Sequence, residues 1–473
     1  MQRGPAGRSH EARQEDERRP AGLHPDPRHR PQLCLARCRT GRGRGVSGGR
    51  IGVIGRRALL AGLAAAGAGH ALAAPVLRAD NFGLTPASAA RRNGWIEVDA
   101  AAFTANIARV RRLIGGSRLC AVMKADAYGN GIALLIPAVI AAGVDVVAIT
   151  ANDEAQVARD LGYRGRLLRI RTATPDEMED GLALGIEELV GNREAASRLD
   201  ALWRQRGPAA PLPVQLALNS GGMSRNGVEL AHAAGQADAR ALLALPGLRI
   251  AGVMTHYPGE AADDIMGQLA RFRADLAWLQ AQGLATDRLL RHTANSFATL
   301  MHPETWLDMV RVGGLLYGDP GSVKTDDFAP TMTIKSRVAA LNPYPAGQTV
   351  NYDRIWRLER DSLLANIPLG YSDGVRRSVS RGNRPEFPAE QRPATQVLIG
   401  GRRFPVVGRV TMNTLMVDVT DAPGAVRLGD EVVLFGAQGA ERITQAELEA
   451  NSSAYGPELL AVLGASLPKA LKG

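Results

Sequence analysis

Between residues 100 and 320, short apolar runs alternate with longer stretches whose apolar positions recur every three or four residues. The second spacing is the one-sided stripe of an amphipathic helix, and the first is a strand buried on both faces. It predicts helices over 103–113, 132–142 and 265–282, and strands over 119–123, 144–149, 214–218, 250–254 and 289–292. Trp95-Ile96-Glu97-Val98 alternates like a short strand ahead of them. Repeated strand–helix units with right-handed crossovers make an open parallel sheet or a closed barrel. The length of the alternating region, with no dinucleotide fingerprint, favours a (β/α)8 TIM-type barrel over 94–330. Beyond residue 330 the pattern becomes short β-type runs at 333–341, 362–367, 394–399, 404–407, 414–419 and 431–435, split by Gly, Pro and Asp turns. Such spacing predicts a smaller β-rich domain over 331–473, with a capped helix at 444–450 near its end. Residues 94–98 suit either domain.

The chain of 473 residues carries a net charge of +10, but that charge is not spread evenly. Residues 1–57 hold fourteen arginines against five acids, +9 of the total. The remainder is close to neutral, which removes the electrostatic case for a nucleic-acid partner. Residues 1–50 are rich in Arg, Pro and Gly and too poor in apolar residues to bury a core, so they read as a disordered extension or a mis-called start. Arg56-Arg57, the apolar run 58–69 and Ala71-Leu72-Ala73-Ala74 then form a basic, hydrophobic and small-residue series. That series predicts a signal peptide over 51–74, twin-arginine-like, too short for stable membrane insertion. The reading implies export to the periplasm and a mature start near Ala74 or Pro75. Cys120, in an apolar strand, is the cysteine left after that start and reads as an inert buried thiol.

The run Leu119-Cys120-Ala121-Val122-Met123-Lys124-Ala125-Asp126-Ala127-Tyr128-Gly129-Asn130-Gly131 carries the sharpest chemistry. A lysine at the end of a buried strand loses hydration, so its ammonium form is disfavoured and the amine becomes a nucleophile. Tyr128 stands where it can meet a phosphate oxygen beside that amine. A lysine next to a phosphate site is what pyridoxal 5'-phosphate (PLP) requires for covalent attachment. Further polar groups follow apolar runs at Asn219, His256 and Asn295, where the carboxyl ends of barrel strands place chemistry. Taken singly, each has an ordinary reading: a loop lysine, a core histidine, a strand tyrosine.

Taken in order they do more. The segments are Asn219-Ser220-Gly221-Gly222-Met223-Ser224-Arg225-Asn226-Gly227, Thr255-His256-Tyr257, His292-Thr293-Ala294-Asn295-Ser296 and Met309-Val310-Arg311-Val312-Gly313-Gly314-Leu315-Leu316-Tyr317-Gly318. Val350-Asn351-Tyr352, Ile367-Pro368-Leu369-Gly370-Tyr371-Ser372-Asp373-Gly374 and Val407-Gly408-Arg409-Val410-Thr411-Met412-Asn413 follow in the β-rich part. With the Lys124 run they resemble the alanine racemase family over roughly residues 94–473, and within it the periplasmic broad-specificity amino-acid racemases. The resemblance implies PLP as cofactor, free amino acids as substrates and a homodimer with shared active sites. Lys124 and Tyr352, the latter from the partner subunit, would be the two catalytic bases on opposite faces of Cα. Cofactor contacts would come from Lys124, Tyr128, Arg225, His256, Asn295, Ser296, Arg311, Gly313 and Gly314. Arg225, Tyr371 and Met412 would bind substrate. No metal is implied.

The likeness has departures. The family's carbamylated lysine near Arg225 has no counterpart, and chloride near Asn219 is one replacement. Asn413 stands where many members have aspartate, Asn130 replaces a common histidine, and 459–471 lacks a tyrosine found in relatives. A strict alanine racemase, another PLP enzyme and a PLP homeostasis protein stay open. Arg311, a donor-only group, opposes a decarboxylase, which would want an acid there. The extra β-domain opposes a homeostasis protein.

Overall fold

The computed structural model describes residues 91–472 except 324 and 381–394, with Thr85 and Ser88 ahead of them. The expectations for 1–50 and 51–74 lie outside the described residues. The first strand is β1 (Gly94–Val98). Next come β2 (Arg118–Val122), β3 (Val146–Ile149), β4 (Arg166–Arg169) and β5 (Ile186–Glu187), then β6 (Leu189–Val190), β7 (Leu212–Ala217), β8 (Leu248–Met254), β9 (Leu290–His292) and β10 (Met309–Val312). Strands β2 to β10 pair in parallel in two runs, β10-β2-β3-β4-β5 and β6-β7-β8-β9.

A single residue, Glu188, separates β5 from β6, and its carbonyl accepts from Gln215 N–H at 2.9 Å. These two short pieces act as one kinked strand joining both runs. At the other seam Asp308 N–H donates to Arg291 O and Arg311 N–H to Ala294 O, at 3.1 and 3.0 Å. Eight strand positions therefore close into the barrel. Val146, Val147, Ala148 and Ile149 are all fully buried, as a strand covered on both faces requires. The helix Ala100–Ile114 begins at Asp99, whose carboxylate accepts from Ala102 N–H at 2.8 Å. It buries Phe103, Ile107, Val110 and Ile114 against the barrel, one helical stripe.

The β-domain comprises β11 (Met332–Arg337), β12 (Ala340–Tyr344), β13 (Ser362–Ile367), β14 (Gln396–Ile399), β15 (Arg402–Val407), β16 (Leu415–Asp418), β17 (Glu431–Gln438), β18 (Glu441–Ile443) and β19 (Lys469–Leu471). The sheet order is β12-β13-β16-β15-β14-β17-β11-β1-β19, with β18 on β17. Strand β1 pairs antiparallel with β11, Ile96 opposite Ile334, and parallel with β19. The described chain thus starts in the β-domain sheet, runs through the barrel and returns. The helix Gly456–Ser466 docks on the segment after β2: a Cβ on Gly464 would lie 2.3 Å from Gly129 Cα. The two backbones meet with no room for a side chain.

Candidate active site

The barrel residues expected at the site follow strands at their carboxyl ends, except Arg311, which lies one residue inside the end of β10. Lys124 lies two residues past β2 and opens a turn in which Ala125, Asp126, Ala127 and Tyr128 all have φ between 53° and 56°. Four consecutive left-handed L-residues cost about 1–2 kcal/mol each, so surrounding contacts must hold them. Asp126 supplies several: its N–H donates to Glu154 Oε1 at 3.1 Å, and its Oδ1 accepts from Ile132 N–H at 2.7 Å. Its other oxygen pairs with Lys469 of β19 at 3.1 Å. The turn places the Lys124 Nζ 5.6 Å from the centre of the Tyr128 ring. Burial, then the positive charges of Arg225 and Arg311, lower the Lys124 pKa against an opposing pull from Glu154. The shift is in the direction of free amine, the form a nucleophile requires.

Tyr128 stacks on Tyr317 with ring centres 4.8 Å apart, and Tyr317 donates its hydroxyl to Val122 O at 2.9 Å. Burial pushes the Tyr128 phenol upward, so its hydroxyl stays a donor. That hydroxyl lies against Gly313, where a Cβ would come within 2.3 Å of it. Gly313 N–H donates to Ser296 Oγ at 3.2 Å, which leaves the Ser296 hydrogen to donate elsewhere. Tyr128 and Ser296 therefore offer two hydroxyl donors beside Gly313, whose own N–H is spent on Ser296, with Gly314 next in the chain. Asn295 plays a different part: its Oδ1 caps the helix Ser296–Met301 by accepting from Ala298 N–H at 2.9 Å. The side-chain oxygen of this expected cofactor ligand is thus committed to the helix end.

Arg311, in β10, is buried with no carboxylate among its hydrogen-bond partners in the described residues. Its Nη1 donates to His292 O at 2.7 Å and faces His292 Nδ1 at 3.1 Å. Its Nη2 meets Thr255 O at 2.9 Å, Thr293 O at 3.2 Å and His256 Nδ1 at 3.2 Å. The Nε–H has no hydrogen bond to a described residue, so it is the guanidinium's uncommitted donor. Burial lowers the Arg311 pKa to about 10, which still leaves it charged near neutrality. Burial and the same guanidinium lower His256 to about 3 and hold His292 well below the ordinary histidine value. Both imidazoles are neutral and present Nδ1 lone pairs to a group that can only donate. Cys120, opposite Arg311 across β2 and β10, is pushed up to about 12 by burial and stays a thiol.

Arg225 is exposed and has neither ion pair nor hydrogen bond among the described residues. Its charge reaches Lys124 and His256. Asn219 organises the same loop: its Oδ1 accepts from Ser224 N–H at 2.7 Å and its Nδ2 donates to Glu229 Oε2 at 2.8 Å. A carboxylate thus occupies one of the donors expected to hold chloride.

Tyr352, Tyr371 and Met412 lie on the β-domain, 65, 44 and 53 % exposed. Their segments are tied together by Tyr371 N–H to Thr411 O and Ser372 N–H to Met412 O, both at 3.0 Å, and by Asn351 Nδ2 to Arg409 O at 2.7 Å. Asn351, Asp353 and Arg354 flank Tyr352 with positive φ, and Asp353 is braced by Arg409 at 2.6 Å. Among the described residues, no hydrogen bond, ion pair or ring contact joins these three to the Lys124 group.

The sequence reading missed His292 and Gln215 behind Arg311, and Tyr317 beneath Tyr128. It also missed Tyr455, which precedes the last helix and lies near enough to Tyr128 to oppose its ionisation. A glutamine inside the otherwise apolar 214–218 run was the signal available for Gln215.

Comparison with known proteins identifies the family of the chain. The family model described as the alanine racemase N-terminal domain matches residues 98–320, and that for the C-terminal domain matches 331–471. A broad specificity amino-acid racemase of Pseudomonas putida is 47% identical over 421 residues, 88% of this chain and 99% of that protein. The counterpart from Aeromonas hydrophila is 45% identical over 86% of this chain and 96% of its own length. A lysine racemase of Proteus mirabilis is 43% identical over 80% of this chain and 89% of its own length. Among solved structures, the alanine racemase of Bacillus anthracis with bound L-Ala-P superposes with a TM-score of 0.71 at 26% identity, covering 81% of this chain and 95% of that one. By these matches and by the ordered set of residues above, the chain belongs to the alanine racemase family.

Proposed function

We propose that this protein is a PLP-dependent racemase of free amino acids with broad specificity, working by two bases, Lys124 and Tyr352 of the partner subunit. The observation that carries the reading is the pairing of a half-buried, deprotonation-prone Lys124 with Arg311, whose one uncommitted donor is Nε–H. The residues fit the cofactor. Lys124 would attach it, Tyr128, Ser296, Gly313 and Gly314 would surround its phosphate, and Arg311 would face its ring nitrogen, while Arg225 meets anionic oxygens of cofactor and substrate. When bound, PLP supplies an electron-withdrawing ring that acidifies the substrate Cα proton.

Lys124 takes or returns that proton on one face, and Tyr352 of the partner subunit does so on the other. His256 orients Arg311 and stays neutral beside it, so it does not compete for the proton. A donor-only Arg311 keeps the ring nitrogen unprotonated and favours proton return over side reactions. Tyr371 and the backbone of Met412, also from the partner subunit, line the entrance. The exposure of all three β-domain residues in the single chain supports sharing between subunits. Chloride is not part of this proposal, because Glu229 already engages Asn219.

Breadth of specificity rests on the relatives named for it and on Asn413, an amide that donates to Ser372 Oγ at 3.0 Å where many members place a carboxylate. Alanine, serine, methionine, lysine and arginine, each offered as the L-form in D2O, should gain α-deuterium and yield the D-enantiomer. Activity confined to alanine would overturn the breadth. No exchange with any of them would overturn the racemase reading. Export to the periplasm rests on the 51–74 segment. Fractionated cells should yield a protein shortened near Ala74 in the periplasm, and full-length protein confined to the cytoplasm would count against export.

A further inference from the structure

Behind Arg311 a line of polar side chains runs through the barrel interior, where apolar residues are the norm. His292, Gln215 and Glu187 are 0, 1 and 5 % exposed. His292 Nε2 lies 2.8 Å from Gln215 Oε1, and Gln215 Nε2 donates to Glu187 Oε2 at 2.6 Å. Glu187 is clamped in turn by Arg166, Nε to Oε1 at 2.6 Å and Nη2 to Oε2 at 2.7 Å. Buried polar groups are retained where they are fully partnered, and every member of this line has a partner on both sides.

The direction of the line is fixed from both ends. Glu187 as a carboxylate only accepts, so Gln215 must turn its amide N–H toward it and its carbonyl toward His292. His292 must then carry its proton on Nε2. At the other end Arg311 only donates, so His292 must offer a bare Nδ1. The two constraints demand the same histidine tautomer. The backbone serves the same arrangement. The β7–β8 register shifts between Val214 and Gln215, and the residue facing Gln215 is Gly252. A Cβ on Gly252 would lie 2.1 Å from Gln215 Oε1, so only glycine admits the side chain there. A strand irregularity that re-aims one residue beside an active site is a familiar use of a bulge.

We infer that Gln215, held by Glu187 and Arg166, is a positioning residue that locks His292 in its Nε2–H tautomer and so fixes the Arg311 guanidinium with Nε–H aimed at the cofactor ring. The inference rests on the reading of Arg311 given above. Removing the lock lets His292 place its proton on Nδ1, where it opposes an Arg311 N–H and turns the guanidinium.

The test compares the PLP-loaded wild type with Gln215→Met, similar in length but with no donor for Glu187 and only a weakly accepting sulfur in place of the amide oxygen. The His292 ring is read by 15N NMR of histidine-labelled protein, its signal assigned by loss in His292→Gln. The wild type should show a single Nε2–H tautomer and Gln215→Met a mixture. Alanine racemisation by Gln215→Met should show kcat lowered about ten- to a hundredfold, with KM unchanged and cofactor still bound. If Gln215→Met does not fold, Glu187→Gln replaces it. That variant frees the Gln215 amide to flip and should give the same two changes. A His292 that keeps its single tautomer, or an unchanged kcat, in the folded variant overturns the inference. Absence of racemisation by the wild type would instead overturn the function proposed above, since the tautomer readout does not depend on it.

Discussion

His256 and His292 each surrender a proton on folding, because burial beside Arg311 makes an imidazolium there costly. The sign follows from linkage. Their folded pKa values lie below the ordinary histidine value, so between the two values the unfolded chain binds more protons, and stability rises with pH. For His256 that window runs from about 3 up to the ordinary histidine value of 6.5. Each histidine contributes at most about 1.4 kcal/mol per pH unit inside its window. Urea unfolding of the purified protein at pH 7, 6 and 5 should therefore show stability falling below pH 6.5, and His256→Gln should fall less steeply. Parallel slopes for the two proteins would remove His256 from the account. At this scale the sequence pointed to Lys124, Arg311 and His256 because each sits at or close to the carboxyl end of a strand in a recognisable run. Gln215 stayed hidden because nothing local to 214–218 says that a carboxylate at 187 and an imidazole at 292 will meet there.

The left-handed turn after β2 cannot sustain itself, and the last helix helps to hold it. Gly464 sits inside that helix, where glycine is the wrong choice by propensity: alanine would gain about 1 kcal/mol. Against that gain, a Cβ at 464 would lie 2.3 Å from Gly129 Cα and 2.4 Å from its carbonyl oxygen. Overpacking of that kind costs about 1–3 kcal/mol, and here the obstacle is backbone that cannot swing aside. Gly464→Ala should lower the melting temperature and weaken PLP binding by the purified apoprotein, measured by absorbance titration. A raised melting temperature with unchanged PLP affinity would show that propensity wins and that the helix does not brace the turn. Part of the element order was legible from periodicity, although the single run expected over 333–341 is two strands, Met332–Arg337 and Ala340–Tyr344. The helix expected over 103–113 is found as Ala100–Ile114, and the strand expected over 119–123 as Arg118–Val122. The positive φ run at 125–128 was not, since alanine and aspartate carry no local signal for a conformation that distant contacts impose. The split of one barrel strand around Glu188 was invisible for the same reason.

A single chain places Lys124, Arg225 and Arg311 in the barrel and Tyr352, Tyr371 and Met412 exposed on the β-domain, with no hydrogen bond, ion pair or ring contact between the groups among the described residues. If the second base comes from a partner, the chemistry belongs to the dimer, and a closed two-fold assembly makes two equivalent sites. Each site then needs Lys124 of one subunit and Tyr352 of the partner subunit. Lys124→Ala and Tyr352→Phe proteins should each be inactive alone. In a hybrid dimer both defects fall in one site and the other site is intact. Random exchange between equal amounts should thus restore about a quarter of wild-type activity. If each chain completed its own site, every site in the hybrid would lack one base and mixing would restore nothing. Differently tagged subunits, recovered together by sequential affinity steps, separate failed exchange from a true absence of complementation. An inactive hybrid isolated in this way would place both bases within one subunit.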